Sequence, residues 1–222
     1  MTLLSPRRAR AFILANTAIA APPHVPELRL HLADEAHDLW HRTEEELQAI
    51  GLAPPFWAFA WAGGQALARY VLDHPERVAG RRVVDFASGS GLVAIAALKA
   101  GATCAEGWDI DPFAGEATAI NADLNGVIVE SSGKNRIGSP VETDLLLAGD
   151  VFFDREMAAS LIPWFDALAG GGLTILVGDP GRAYLPRERL THLATYDVPV
   201  TRALEDAEVK RSAVWQWRTE PG

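Results

Sequence analysis

Small and acidic residues between positions 83 and 109 form a pattern that could hold a nucleotide-like ligand. Residues 83–86 read Val-Val-Asp-Phe and predict a short buried strand. The residues that follow have small side chains, which let a ligand approach the backbone closely. They are Ala87, Ser88, Gly89, Ser90 and Gly91. From Gly91 to Asp109 the chain spans the roughly 20 residues expected between a glycine-rich turn and an acid that binds ribose hydroxyls.

Asp85 separates two classes of ligand that such a loop could bind. Nicotinamide dehydrogenases share these parts, and Gly89, Gly91 and Ala94 match the G-x-G-x-x-A form of their fingerprint. A dinucleotide would set an anionic pyrophosphate at the helix N-terminus, where the carboxylate of Asp85 would repel it. S-adenosylmethionine has no phosphate and carries an ammonium group that Asp85 could face. The pattern therefore favours S-adenosylmethionine, with a turn that binds no ligand as the alternative.

Two further acids, Asp150 and Asp179, stand near the ends of apolar runs at residues 144–148 and 173–177. Such runs predict strands of a parallel sheet that are buried on both faces. In open α/β sheets, ligands bind beside the carboxyl ends of the strands, so we expect Asp150 in the ligand site. A helix N-cap is the alternative role for Asp150, although Asp154 is better placed for it.

Residues 179–182 read Asp-Pro-Gly-Arg and lie on the same sheet edge as Asp150 if the strands are parallel. A Pro-Gly turn is a sufficient structural reason for this sequence. We nevertheless expect Asp179 or Arg182 to contact the substrate.

Alternating strands and helices from residue 82 onward must position these residues. The predicted strands are 83–86, 105–110, 127–129, 144–148, 173–177, 195–200 and 213–218, and the predicted helices are 92–100, 113–125 and 155–169. Pro163 predicts a kink or an early end of the last helix. The alternation predicts a doubly wound, mostly parallel α/β sheet.

Residues 1–55 are predicted to form a helical N-terminal extension of a single domain whose core is residues 56–222. We expect a helix at 11–21 with Phe12, Ile13 and Ile19 on one face, although Arg7, Arg8 and Arg10 before this apolar run also resemble a targeting segment. The other predicted segments are an extended piece at 27–32, a helix at 34–50, a loop at 54–55 and a helix at 64–72.

Composition excludes several functional classes. The chain has 222 residues, 49% of them hydrophobic, a net charge of -9 and a single cysteine, Cys104, which leaves no disulfide framework. Basic residues are scattered, so we expect no nucleic-acid partner. An acidic surface suits a basic, lysine-bearing protein partner, although it also serves solubility. No apolar run is long enough to span a membrane, and the six histidines show no metal-ligand pattern, so we expect no metal site.

Five sequence blocks together resemble the seven-β-strand protein lysine methyltransferases. They are 56–67 (FWAFAWAGGQAL), the Asp85 loop, 108–112 (WDIDP), 149–153 (GDVFF) and 178–182 (GDPGR). Within that family, the chain resembles in particular the enzymes that methylate the β-subunit of electron transfer flavoprotein. The likeness covers nearly the whole chain, and the blocks around Trp61 and Asp179 are its most specific parts. It implies a seven-stranded sheet, S-adenosylmethionine as the cofactor and lysine methylation.

The resemblance also implies roles for residues at matching positions. The implied cofactor-binding positions are Trp61, Ala87, Ser88, Gly89, Asp109, Gly149 and, on the adenine side, Asn135, beside the Asp85 and Gly91 already considered. A core tryptophan is an equal alternative for Trp61. The family motif Asp-x-x-(Tyr/Phe) matches residues 150–153, so Asp150 would orient the lysine amine and Phe153 would face the ammonium product through its ring.

Two departures from the family pattern affect these expectations. Ala87 stands where the family loop usually has glycine, and we expect the loop to accept the extra methyl group if its backbone is not left-handed. Phe153 stands where the motif often has tyrosine, which puts any mechanism that needs this hydroxyl in doubt.

The sequence therefore predicts an S-adenosylmethionine-dependent lysine methyltransferase that acts, as a monomer, on the electron transfer flavoprotein β-subunit. The alternatives are a methyltransferase for another protein, such as a ribosomal one, or for a small amine, and a fold that only binds partners. We expect a bacterial cytoplasmic enzyme, or a mitochondrial matrix enzyme if the source is eukaryotic.

Overall fold

The computed structural model describes residues 5–33, 54–200 and 207–219. In chain order, its helices and strands are α1 (Pro6–Asn16), β1 (Ala18–Ala20), β2 (Leu30–Leu32), α2 (Ala62–Asp73), β3 (Arg82–Phe86), α3 (Leu92–Lys99), β4 (Cys104–Trp108), α4 (Pro112–Leu124), β5 (Glu130–Ser132), β6 (Leu145–Gly149), α5 (Arg155–Gly170), β7 (Thr174–Asp179), β8 (Leu190–Pro199) and β9 (Val209–Trp217). Single 3-10 turns lie at Phe56–Ala58, Pro75–Arg77 and Arg187–Arg189. The predicted helix at 34–50 lies outside the described residues.

One seven-stranded sheet forms the centre of the molecule, in the strand order β5-β4-β3-β6-β7-β9-β8. The strands from β5 to β7 are parallel, whereas β9 runs antiparallel to both β7 and β8. The order reverses between β3 and β6, which are neighbours, and a ligand crevice is expected at such a point. The predicted doubly wound, mostly parallel α/β fold with seven strands is confirmed.

Both faces of the sheet are covered, which explains the continuous apolar runs in its strands. Leu145 and Leu147 point into the hydrophobic cluster that includes α2 and α3, and Leu146 points into the cluster on the opposite face with α5. All three leucines are fully buried. Successive side chains of a strand face opposite sides, so a strand covered on both faces has no need of alternating polar residues.

The N-terminal extension differs from the prediction. The first helix is Pro6–Asn16 rather than 11–21, and Ile19 lies exposed in β1, which pairs with β2. Asn16 and Thr17 end the helix early, because their side chains donate to the carbonyl oxygens of Phe12 and Ile13, four residues back. Ile13 is buried against α4, as expected of the apolar face.

The bounds of β5 and α5 also differ from those that the sequence predicts. The fifth strand is Glu130–Ser132 and not 127–129, because the Val127 amide closes the end of α4 by donating to the Ala122 carbonyl, next to Gly126 at φ 66°. Helix α5 continues through Pro163 to Gly170, so the expected early end is wrong. Leu161, Trp164 and Phe165 are buried on either side of Pro163, and this packing holds the helix together. No helix within the described ranges is both long and apolar enough to cross a membrane.

Candidate active site

A cavity of about 460 Å³ lies at the carboxyl ends of β3, β4 and β6, at the reversal point of the sheet. Its wall combines the loops after these strands with an aromatic segment that precedes α2. The lining residues are Phe56, Trp57, Phe59, Ala60, Trp61, Gly64, Asp85, Ala87, Ser88, Gly89, Ser90, Leu92, Val93, Asp109, Ile110, Asp111, Gly149, Asp150, Val151, Phe153, Met157 and Arg182. Most of the predicted site residues therefore meet in one cavity.

The loop after β3 curls tightly under the cavity. Ala87 and Gly89 have φ values of 55° and 50°, so both adopt the left-handed conformation. We expected the loop to accept the Ala87 methyl group if its backbone were not left-handed. Because the backbone is left-handed, the methyl group costs about 1–2 kcal/mol relative to glycine at this φ. The loop tolerates this strain because its backbone is held in place, with the Ser88 amide bonded to the Trp108 carbonyl at 3.2 Å.

Asp85 lies beneath the loop and is 2% exposed. Its Oδ2 accepts the Ala94 amide at 2.9 Å, in the first turn of α3. Burial raises the pKa of Asp85 to about 7, against the lowering effect of this hydrogen bond. Asp85 therefore lines the cavity as predicted and also caps α3, a second role that the sequence analysis did not include.

Gly91 does not line the cavity. It has φ 77°, and a Cβ atom there would lie 2.8 Å from the Thr118 side chain of α4. Glycine at this position therefore permits the left-handed turn into α3 and the close packing of α4, and its predicted role in cofactor binding stays a prediction.

The carboxylate of Asp109 ties the β4 and β3 loops together. Its Oδ2 accepts the Gly89 amide and its Oδ1 the Asp111 amide, both at 2.9 Å. Burial raises the pKa of Asp109, and it raises that of Asp111 to about 6. Asp111 caps α4 through the Phe113 amide. Asp111 and its neighbour Ile110 line the cavity but were missed, although their position directly after Asp109 at a strand tip was a usable signal.

Asp150 follows β6 in a left-handed conformation, with φ 56°. The carboxylate is nearly buried, and its Oδ2 accepts the Gly64 amide at 2.8 Å. Its Oδ1 accepts Nε and Nη2 of Arg182 at 3.1 and 2.7 Å. The alternative role as a helix cap does not apply, because Asp154 caps α5 through the Met157 amide. Asp150 is therefore a carboxylate of the cavity wall.

Glycines allow the first turn of α2 to reach Asp150. A Cβ on Gly149 would lie 2.9 Å from the Gly64 Cα, and one on Gly178 would lie 2.2 Å from the Gly63 carbonyl oxygen. The helix backbone thus rests directly on the tips of β6 and β7. This contact explains glycine at position 63, where a Cβ would lie 2.4 Å from the Gly178 carbonyl oxygen, whereas a Cβ on Gly64 would meet no atom within 4 Å.

An aromatic wall closes the cavity on the side of Asp150. The Trp61 indole donates to the Phe56 carbonyl at 3.0 Å, and the Phe56 ring lies 5.8 Å from Trp61 and 5.5 Å from Phe153. Phe153 is 47% exposed and Trp61 is half-buried. Trp61 therefore lines the cavity and is not simply a core tryptophan.

Asp179 and Asn135 do not reach the cavity. Asp179 is 1% exposed, and its Oδ1 accepts the amides of Gly181 and Arg182 at 2.6 and 2.7 Å, so of the two residues expected to contact the substrate only Arg182 lines the cavity. Burial also raises the pKa of Asp179. Asn135 is exposed, and its side chain accepts the Ile137 amide at 3.0 Å in the loop beyond β5. Asp179 is thus a turn residue that fixes the backbone of Arg182.

Comparisons with known proteins agree with this fold. The family model "Ribosomal protein L11 methyltransferase (PrmA)" matches residues 65–148. The solved ribosomal protein L11 methylase of Lactobacillus delbrueckii subsp. bulgaricus has a TM-score of 0.53 at 20% identity, covering 72% of this chain and 81% of that chain. At this identity the likeness shows the fold alone.

Several curated relatives match nearly the whole chain. The electron transfer flavoprotein beta subunit lysine methyltransferase of Xenopus laevis is 38% identical over 215 residues, 94% of this chain and 86% of that protein. The Homo sapiens protein of the same name is 33% identical over 223 residues, 93% of this chain and 80% of that protein. The resemblance in the sequence motifs is confirmed: the chain belongs to the family of electron transfer flavoprotein beta subunit lysine methyltransferases.

Proposed function

We propose that this protein transfers methyl groups from S-adenosylmethionine to lysine side chains of the electron transfer flavoprotein β-subunit. One observation carries the proposal: Asp150 stands at a strand tip in the wall of a cofactor-sized cavity, beside aromatic rings, in a chain of this family. A carboxylate among aromatic side chains suits an amine substrate, since it accepts hydrogen bonds from the amine while the rings attract its cationic product.

The cavity suits S-adenosylmethionine in size and in chemistry. Its volume of about 460 Å³ falls in the range of small-molecule sites. Asp85 lies in β3, Asp109 directly follows the neighbouring strand β4, and the two provide carboxylates for an ammonium group and for ribose hydroxyls. Residues 87–89 and Gly149 offer a backbone surface without large side chains. When bound, the cofactor supplies an electrophilic methyl carbon.

The lysine must reach this carbon as a neutral amine. Free lysine has a pKa of about 10.4, so the site has to favour loss of a proton. The largely aromatic wall at Phe56, Trp61 and Phe153 favours the neutral form, because an apolar environment penalises the charged one. Asp150 accepts a hydrogen bond from the amine and orients its lone pair. Positioning of this kind is capable of supplying several kcal/mol of rate enhancement.

Phe153 restricts the possible chemistry. A phenylalanine ring has no hydroxyl to accept or donate a proton, so position 153 contributes only an aromatic face in this protein. Asp150 is then the polar group of the motif that the amine meets.

A ribosomal protein is the second substrate to consider, since the L11 methyltransferase model matches part of the chain. That match ends at residue 148, before Asp150, and it begins after Trp61. It therefore covers the cofactor half of the cavity and leaves out the residues proposed to meet the substrate. The relatives that match across these residues favour the flavoprotein subunit.

The direct test offers three acceptors in parallel: purified electron transfer flavoprotein β-subunit, ribosomal protein L11 and a free lysine derivative. Each is incubated with the enzyme and methyl-labelled S-adenosylmethionine, and labelled positions are mapped by mass spectrometry. We expect label on lysines of the β-subunit alone. Label confined to L11 or to the small amine would contradict the proposed substrate.

A further inference from the structure

The side chain of Arg182 occupies the face of Asp150 that a substrate amine would need. Oδ2 of Asp150 is directed at the Gly64 amide in the first turn of α2, 2.8 Å away. Oδ1 accepts Arg182 Nε at 3.1 Å and Nη2 at 2.7 Å. A cation that approaches Asp150 from the cavity must therefore compete with the guanidinium for Oδ1.

The guanidinium also has the surroundings expected for the ammonium group of a substrate. Its Cζ lies 5.8 Å from the centre of the Trp61 ring. Arg182, Trp61 and Phe153 all line the same cavity, and the Arg182 side chain is only 20% exposed. A carboxylate on one side and an aromatic face on the other form a site that selects a cationic group, and here that group comes from the protein itself.

We propose that Arg182 holds the position of the substrate amine in the substrate-free enzyme and that an incoming lysine displaces it. This inference rests on the proposed lysine methylation and deepens it, because it makes Arg182 a gate to the position beside Asp150 where the substrate amine is proposed to bind. The Arg182 amide donates to Asp179 Oδ1 at 2.7 Å, so the backbone is anchored on a buried turn. The exchange therefore involves rotation of the side chain, while the loop stays in place.

The chemistry of arginine makes the gate itself a poor methyl acceptor. A guanidinium stays protonated in proteins, so it offers no free amine lone pair. A lysine amine loses its proton far more readily, with an ordinary pKa of about 10.4 that desolvation lowers further. The lysine nitrogen is as many bonds from Cα as the guanidinium carbon of arginine. A lysine at position 182 would thus carry a reactive amine into the site.

Self-methylation of Arg182→Lys tests the inference. In that reaction the amine lone pair forms a bond to the methyl carbon of S-adenosylmethionine, the carbon–sulfur bond breaks with its electron pair left on sulfur, and a proton passes from nitrogen to solvent. We expect mass spectrometry to find methyl groups at position 182 after incubation with the cofactor alone. The rate constant should not depend on enzyme concentration, because the amine belongs to the same molecule.

Arg187→Lys is the matched control, since Arg187 lies in the same loop but packs over Trp215 away from the cavity lining. We expect no modification at position 187, and loss of modification at 182 when Asp150→Asn is added. An Arg182→Lys variant that binds S-adenosylmethionine like the wild type yet stays unmodified at 182 would overturn the inference, as would equal modification at 187. The proposed function is tested separately, by measuring methylation of the β-subunit by the wild-type enzyme.

Discussion

Asp150 and Arg182 lie 32 residues apart in sequence and meet through two hydrogen bonds to a single carboxylate oxygen. Each is fixed by its backbone: the Asp150 amide donates to the Gly178 carbonyl at 2.9 Å, and the Arg182 amide to Asp179. The pair therefore depends on the parallel alignment of β6 and β7, which brings the ends of both strands to one edge. This alignment also places the pair beside the aromatic wall, where the substrate amine is proposed to bind.

Replacing Asp85 should have opposite effects on stability and on cofactor binding. Burial raises the pKa of Asp85 from 3.8 to about 7, so between these values the folded protein holds a proton that the unfolded chain releases. The contribution of this group to the unfolding free energy therefore falls as the pH rises from about 4 to 7 and stays low above 7. Asp85→Asn keeps an acceptor for the Ala94 amide and removes the buried charge.

We expect the cofactor-free Asp85→Asn variant to be more stable than the wild type at pH 8, by more than about 1 kcal/mol, and to differ less from it at pH 5. Its affinity for S-adenosylmethionine should fall about tenfold or more, the loss of one good charged contact. Thermal unfolding at both pH values and calorimetric titration measure the two effects. Unchanged affinity, or lower stability at pH 8, would contradict the proposed role of Asp85.

Ala87→Gly should stabilise the protein. A non-glycine residue at φ 55° costs about 1–2 kcal/mol, and glycine loses about 0.5–1 kcal/mol more chain entropy on folding. The expected net gain is therefore about 0.75 kcal/mol at the midpoints of these ranges and at most about 1.5 kcal/mol, measured by urea denaturation. Ala97→Gly in the interior of α3 is the matched control, and it should destabilise by about 1 kcal/mol or more. A loss of stability in both variants would show that the Ala87 backbone is not strained.

Phe153 variants test the aromatic wall. Phe153→Ala removes the ring that contacts Phe56, and kcat/KM for the protein substrate should fall between about two- and thirtyfold, the range of a cation–aromatic contact. Because Phe153 is 47% exposed, the unfolding free energy should change little. Phe153→Tyr keeps the ring and should retain most of the activity. Ile128→Ala, 86% exposed and outside the cavity, serves as the control. Equal activity of Phe153→Ala and wild type would exclude a substrate contact.

The cofactor side of the cavity was largely predictable from the sequence, because its residues follow directly after apolar strands. The tip of a strand lies next to the run that predicts it, so Asp85, Asp109 and Asp150 could be placed without knowing any side-chain contact. Asn135 does not directly follow an apolar strand, because residues 126–139 show no clear hydrophobic periodicity. The structure places Asn135 outside the cavity. The local Asp-Pro-Gly turn gave a usable signal for the structural role of Asp179.

The contacts that set the chemistry of Asp150 were not predictable. Its pairing with Arg182 depends on which strands are neighbours, and its bond to Gly64 depends on how closely α2 approaches the sheet. The positive φ of Ala87 is likewise a property of the folded loop, since alanine gives no sign of it in sequence. Such features come from tertiary packing, which local propensity does not encode.

Methylation of purified electron transfer flavoprotein β-subunit by the wild-type protein and by Asp150→Asn tests most directly whether Asp150 orients a substrate lysine. Asparagine tolerates the left-handed backbone at this position and can still accept the Gly64 amide. We expect the wild type to add methyl groups to lysines of the subunit. The kcat of the variant should be lower by at least about 100-fold, because a small misplacement of a reactant can reduce the rate that much. Its affinity for S-adenosylmethionine should stay within a few fold of the wild type. A variant that binds the cofactor and methylates the subunit at close to the wild-type rate would contradict the role proposed for Asp150.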